Sequence, residues 1–173
     1  MSLHESLRNA VLGAPFDPFT LSTIDDGRMA ALRLVEQAQR SVIIYSRDGD
    51  AAMFDNEPFV NAIKALAIRS RNSSIRVLIR DANRIVHNGH RLLPLAHHLS
   101  SKIQLRKPAE EFNEFHEAFL VVDDMGYLHR PLGDRPDGIA AFHGAKTARD
   151  LTLYFNKVWD RSTPDPNLRR LDL

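Results

Sequence analysis

The sequence predicts an α/β fold, a mixed and mostly parallel sheet flanked by helices, and three observations lead to it. Two β-rich apolar runs, Ser41–Tyr45 and Ile75–Ile79, each lead into an Arg-Asp pair. The segment between them has helical period, so the three together read as a βαβ unit whose strands are buried on both faces. Downstream, shorter apolar runs separated by turn residues bring the order to β-α-β-α-β-β-β-β-α, a sheet between helices. A chain of 173 residues has room for one domain with a substantial core.

Residues 1–21 carry Gly13, Ala14, Pro15 and Pro18 without a sustained period and are expected to form an N-terminal arm. A helix is expected from Ser22 or Thr23, whose hydroxyl suits an N-cap ahead of Asp25 and Asp26, carboxylates favoured at the positive helix end. Met29, Leu32 and Val35 supply its buried stripe. After the first strand and the polar stretch Ser46-Arg47-Asp48-Gly49-Asp50, Pro58 opens a second helix with Phe59, Ile63, Leu66 and Ala67 inward. The second strand leads to a helix over 90–99 that buries Leu92, Leu95, Ala96 and Leu99 and tolerates Pro94 near its start. Lys102–Arg106 is the third strand. An acidic loop (Glu110, Glu111, Glu114) precedes an apolar strand within Phe115–Asp123. Asp123-Asp124-Met125-Gly126 is a hairpin turn that returns Tyr127–Arg130 antiparallel. A short strand, Ile139–His143, is followed by a helix gathering Leu151, Tyr154, Phe155 and Val158 on one face with Trp159 beside them. Pro164 and Pro166 end it, so residues 22–163 form the domain and 164–173 a C-terminal tail.

Composition narrows the function classes. The absence of cysteine removes disulfides, thiolate catalysis and cysteine-based zinc sites. No apolar run approaches the ~18 residues of a membrane span, and the N-terminal stretch lacks a signal-peptide pattern, so a cytoplasmic protein is expected. No glycine-rich phosphate loop and no G-x-S-x-G occurs. The histidine pairs His87/His90 and His97/His98 lack carboxylates at ligand spacing, so neither a metal nor a cofactor is expected. From Lys64 to Lys107 ten Lys and Arg face one acid, Asp81, which hints at an anionic partner or at an internal use of the charge. Nucleic-acid phosphates would be met only weakly and without base reading, because no aromatic residue lies between Phe59 and Phe112 to stack on bases.

Ligands of such sheets sit outside the carboxyl ends of the parallel strands, which makes Arg47, Asp48, Arg80, Asp81, Arg106 and Lys107 neighbours on one rim. The spacing of His116, Ala118 and Asp123 resembles the H-x-K-x-x-x-x-D signature of the phospholipase D superfamily, with alanine at the lysine position. Over roughly residues 28–160 the order of elements also resembles one half of such a protein. The resemblance implies a histidine that attacks a phosphodiester, a lysine that holds the phosphate and an aspartate that orients the imidazole. Gly138-Ile139-Ala140-Ala141-Phe142 resembles the companion G-S-x-N piece, with both polar groups replaced by apolar ones. One fixed donor to developing charge is commonly worth about 2.7–4 kcal/mol of barrier.

The resemblance therefore implies a catalytically impaired domain with His116 and Asp123 as vestiges. Arg47, Arg80, Arg91, Arg106 and Arg130 are expected to bind a phosphate or other anionic ligand there, one of them filling the lysine's volume. Superfamily members with one motif per chain pair as homodimers, which implies a homodimer here. Two alternatives stay open: an active single-motif phosphodiesterase or nuclease working as a homodimer through His116, and a plain protein-interaction module. The runs Tyr45-Ser46-Arg47-Asp48 and Gly126-Tyr127-Leu128-His129-Arg130-Pro131 resemble a bacterial group of phospholipase D-like domains and imply a bacterial origin.

Overall fold

A computed structural model describes residues 1–169. In chain order the elements are α1 (Leu3–Asn9), β1 (Phe19–Leu21), α2 (Ile24–Glu36), β2 (Ser41–Ser46), α3 (Ala51–Phe54), α4 (Glu57–Arg69), β3 (Ser74–Ile79), α5 (Asn83–Asn88), α6 (Leu92–His98), β4 (Ile103–Arg106), a 3₁₀ turn (Glu110–Phe112), β5 (Ala118–Val122), β6 (Gly126–Arg130), β7 (Gly138–Ala141), α7 (Ala145–Asp160) and α8 (Pro166–Arg169). The sheet has seven strands in the order β1-β7-β6-β5-β2-β3-β4.

The α/β class and the mixed sheet stand, and the balance of pairing is corrected. β2, β3 and β4 are parallel, but β5 pairs antiparallel to β2, and β5-β6, β6-β7 and β7-β1 are antiparallel as well. Helical crossovers join the first three strands in one direction. The later ones are joined by connections too short for a parallel crossover, so the chain can only fold back. Thr23 caps α2 with a reciprocal capping box to Asp26, and Asn56 caps α4 with Pro58 in its first turn.

The expected arm is built into the domain. In α1, Leu7 is fully buried, and His4 Nε2 meets Asp26 Oδ1 at 2.9 Å on α2; β1 forms the sheet edge beside β7. The last four positions of the expected 164–173 tail lie outside the described residues.

The sheet buries two different faces. Val42, Ile44, Val77, Leu120, Val122 and Leu128 pack under the α1–α6 layer. Ile43, Tyr45, Leu78, Phe119 and Val121 pack under α7, through Phe155, Val158 and Trp159. This alternation along each strand assigns every rim residue to a face.

Asp123 lies at the opposite end of β5 from His116, roughly 20 Å away at strand spacing. Its carboxylate accepts from the backbone N–H groups of Gln39, Arg40 and Ser41 at 2.8, 2.8 and 2.9 Å. With Asp124 it forms the centre of a β-turn in the three-residue hairpin loop, both at positive φ (55° and 52°), closed by Met125 N–H donating to the Val122 carbonyl at 3.0 Å. It orients the start of β2 and not an imidazole. Asp123→Ala is expected to lower stability by about 2–4 kcal/mol in urea unfolding, and a loss under ~0.5 kcal/mol would contradict this assignment.

Candidate functional site

The carboxyl ends of β2, β3 and β6 share one rim with the start of β5, as the pairs Tyr45↔Phe119 and Ala118↔Arg130 require. There the loops after β2, after β3 and between β6 and β7 enclose a cleft of about 480 Å³. Its wall carries Arg47, Arg84, Arg130 and Arg135 together with five aspartates, Asp48, Asp50, Asp55, Asp81 and Asp134.

Ser46 ends β2 fully buried on the helical-layer face. Its hydroxyl accepts from Gly49 N–H (2.8 Å) and donates to Asp50 Oδ2 (2.7 Å). Gly49 has φ +97°, and a Cβ there would come within 2.7 Å of Ile85 Cδ1, so only glycine fits this turn. Buried His90 closes the loop from the other side. Its Nδ1 accepts from Leu92 N–H (3.2 Å), so its Nε2 carries the proton and donates to the Gly49 carbonyl (3.1 Å). Burial pushes the imidazole below its ordinary value near 6.5, against the pull of Asp55, the Gly49 carbonyl and Asp50.

Arg130 stands directly across from Ala118, on the same face of the sheet. Its side chain is 4% exposed, and Nη2 meets Asp50 Oδ2 at 2.8 Å, with the Asp50 side chain 12% exposed. Nη1 donates to the carbonyls of Gly133 and Arg135, and Nε is buried with no partner. The arginine beside Ala118 is therefore held by a carboxylate of the chain itself.

His116 is not part of the cleft wall. Its side chain is 59% exposed, and Nδ1 lies 3.3 Å from Arg80 Nη1, which also donates to the carbonyls of Asn113 and Phe115. A guanidinium can only donate, so Nδ1 is the acceptor and the neutral ring carries its proton on Nε2.

The remaining expected arginines disperse. Arg47 lies exposed at the cleft mouth. Arg91 is held by Asp55, whose carboxyl burial alone would raise but whose bonds from the Arg91 backbone and guanidinium bring it below the usual range. Arg106 turns to the other face and stacks over Trp159 at 4.5 Å. Gly138–Phe142 does not meet His116 either: Ala141 pairs with Tyr127 toward the far end of β6. The segment that does approach is the loop after β6, where a Cβ on Gly133 would be 3.4 Å from the Ala118 Cβ. Ser46, Asp50, His90 and Arg135 escaped the sequence reading; the only local signal was Gly49-Asp50 directly after a strand.

Part of the basic segment serves the chain, while Lys64, Arg71, Arg84 and Lys107 are exposed. Arg69 donates to the Ala38 carbonyl, Lys102 to those of Ser70 and Arg71, and Arg76 lies over Phe155 and Trp159. Among the described residues no group of three or more His, Asp or Glu is placed to hold a metal ion, and no helix is long and apolar enough to cross a membrane.

With this geometry established, comparisons place the chain. The family model described as "Domain of unknown function (DUF7931)" matches residues 23–171. No curated protein matches in sequence. Among solved structures, TrmBL2, an archaeal chromatin protein whose structure is described as showing a novel mode of DNA binding, superposes with a TM-score of 0.62 at 13% identity, over 87% of this chain and 54% of that one. NucT from Helicobacter pylori gives 0.60 at 13% identity, over 86% of this chain and 98% of that one. The phosphatidylserine synthase of Haemophilus influenzae Rd KW20 gives 0.60 at 13%, over 91% and 41%. The chain thus spans about half the length of the archaeal protein. The fold is phospholipase D-like; identities this low speak to fold alone.

The neutral His90 sets a pH dependence. Its folded value is depressed, so below pH 6.5 the unfolded chain binds a proton that the folded one excludes. Its contribution is complete above pH 6.5 and is lost progressively as pH falls from there through the lower folded value. His90→Gln is expected to flatten the decline in unfolding free energy below pH 6.5; an unchanged slope would contradict a neutral, buried His90.

Proposed function

This chain belongs to the DUF7931 family, and we propose that in it the phospholipase D-like fold works as a binding domain for a phosphate or other small anion, with phosphodiester turnover lost. One observation carries the proposal: the guanidinium across from Ala118 is taken by Asp50 at 2.8 Å inside the wall. Turnover needs an unprotonated ring nitrogen facing phosphorus and a fixed donor on the oxygens that gain charge. Ala118 cannot donate, Arg130 is engaged by Asp50 at rest, and His116, outside the cleft wall, has its free lone pair on Nδ1, aimed at Arg80 whether or not Asp50 yields.

Anion binding is supported by two exposed cations at the mouth. Asp48, Asp50 and Asp55 are paired with Arg84, Arg130 and Arg91, which leaves Arg47 and Arg135 beside Asp81 and Asp134. Arg47 and Arg135 are exposed at the mouth with no acidic partner among the described residues, which favours an incoming anion. A nucleic-acid backbone is the weaker ligand, since Arg69, Arg76, Arg80, Arg91, Lys102 and Arg106 are turned to the chain's own groups.

A second reading, a phosphodiesterase acting as a homodimer, is favoured by the exposure of His116 beside Arg80 on an open rim that a second copy could complete.

Inorganic phosphate or sulfate is expected to raise the melting temperature by several degrees at saturation. Replacing Arg47 and Arg135 together by alanine should weaken that binding about five- to thirty-fold. No turnover of a generic phosphodiester above the His116→Ala background is expected. Turnover that disappears in His116→Ala would replace this function with the second reading, and binding indifferent to Arg47 and Arg135 would remove the mouth from it.

A further inference from the structure

Deep in the cleft, a hydroxyl and a guanidinium hold a carboxylate of the chain itself. We infer that Asp50 is an internal stand-in for the ligand: Ser46 and Arg130 form an oxyanion site that the Asp50 side chain fills at rest, and a free oxyanion of the phosphate type enters by displacing it. The inference deepens the anion-binding reading of this cleft and rests on it.

The bonding pattern points this way. Asp50 Oδ2 accepts from the Ser46 hydroxyl at 2.7 Å and forms an ion pair with Arg130 Nη2 at 2.8 Å. An arginine binds an oxyanion best side-on, with Nε–H and one Nη–H reaching two oxygens. Here Nη2 is used and Nε, its neighbour on that edge, is buried with no partner. The pair is therefore half-made: a single oxygen occupies an edge built for two, and a buried donor is left unsatisfied. Phosphate or sulfate has enough oxygens to reach both donors and the Ser46 hydroxyl.

Arg130 is otherwise anchored. Its Nη1 donates to the carbonyls of Gly133 and Arg135, so the guanidinium stays in place when the carboxylate leaves. Beyond Ser46 and Arg130, Asp50 is fixed only at its backbone. It caps α3 at φ 45°, its carbonyl accepting from Met53 and Phe54 N–H at 2.9 Å, so the change required is a rotation of its side chain alone. Turned outward, its carboxylate enters the open cleft, whose mouth carries the exposed Arg47. The resting domain thus carries a built-in competitor, and its affinity for an external anion is set by how readily Asp50 yields.

The test is calorimetric titration of inorganic phosphate into the wild type, Asp50→Asn and Asp50→Asn/Arg130→Met. Asp50→Asn is expected to bind phosphate at least about tenfold tighter than the wild type, and the double variant to lose the gain. An Asp50→Asn protein with an unchanged circular-dichroism spectrum and no gain in affinity overturns the inference. If Asp50→Asn does not fold in chloride, refolding at equal ionic strength in phosphate decides: recovery in phosphate alone supports the stand-in, and failure in both overturns it. Phosphate binding by Asp50→Asn but not by the wild type would contradict the resting anion-binding function while supporting this inference.

Discussion

The buried ion pair between Arg130 and Asp50 is the constraint on which the site depends. It joins the end of β6 to the loop after β2 across the cleft at the carboxyl ends of the parallel strands. Removing one partner of such a pair commonly costs about 3–5 kcal/mol, because the other is left charged and dry. At rest the same contact engages the guanidinium opposite Ala118.

The sheet divides the remaining groups. Strand alternation puts Ser46, Ala118 and Arg130 on the helical-layer face and Tyr45, Arg76, Leu78 and Arg106 on the α7 face. The second set is committed to packing: Arg76 and Arg106 cover the rings of Phe155 and Trp159, and Tyr45 stacks with Phe119. Arg80 passes over the edge and turns His116 away from the cleft. Within a phospholipase D-like fold, His116 and Arg130 thus face different ways.

Much of the fold was legible because its signals are local. The runs Ser41–Tyr45 and Ile75–Ile79 could only be buried strands, and the spacing of Leu151, Tyr154, Phe155 and Val158 announced α7. Asp123-Asp124 announced a hairpin. By contrast, β1 is three residues long behind Pro18 and exists only because β7 offers it an edge. The direction of β5 was hidden too, since an apolar run does not say which way it enters a sheet.

The site was legible as a rim and illegible as contacts. Arg47, Arg80 and Arg130 do lie there, but sequence position does not reveal the face, and Arg106 was captured by Trp159 on the other side. Asp50 had no signal of its own, because its meaning comes from Arg130, eighty positions away. The most direct measurement of the central claim is the coupling energy between these two side chains, from a double-mutant cycle of Asp50→Asn and Arg130→Met in urea unfolding. A coupling of about 2–3 kcal/mol is expected for a formed, dry pair. A coupling indistinguishable from zero would mean that Arg130 is free in solution, and the account of a neutralised site would fall.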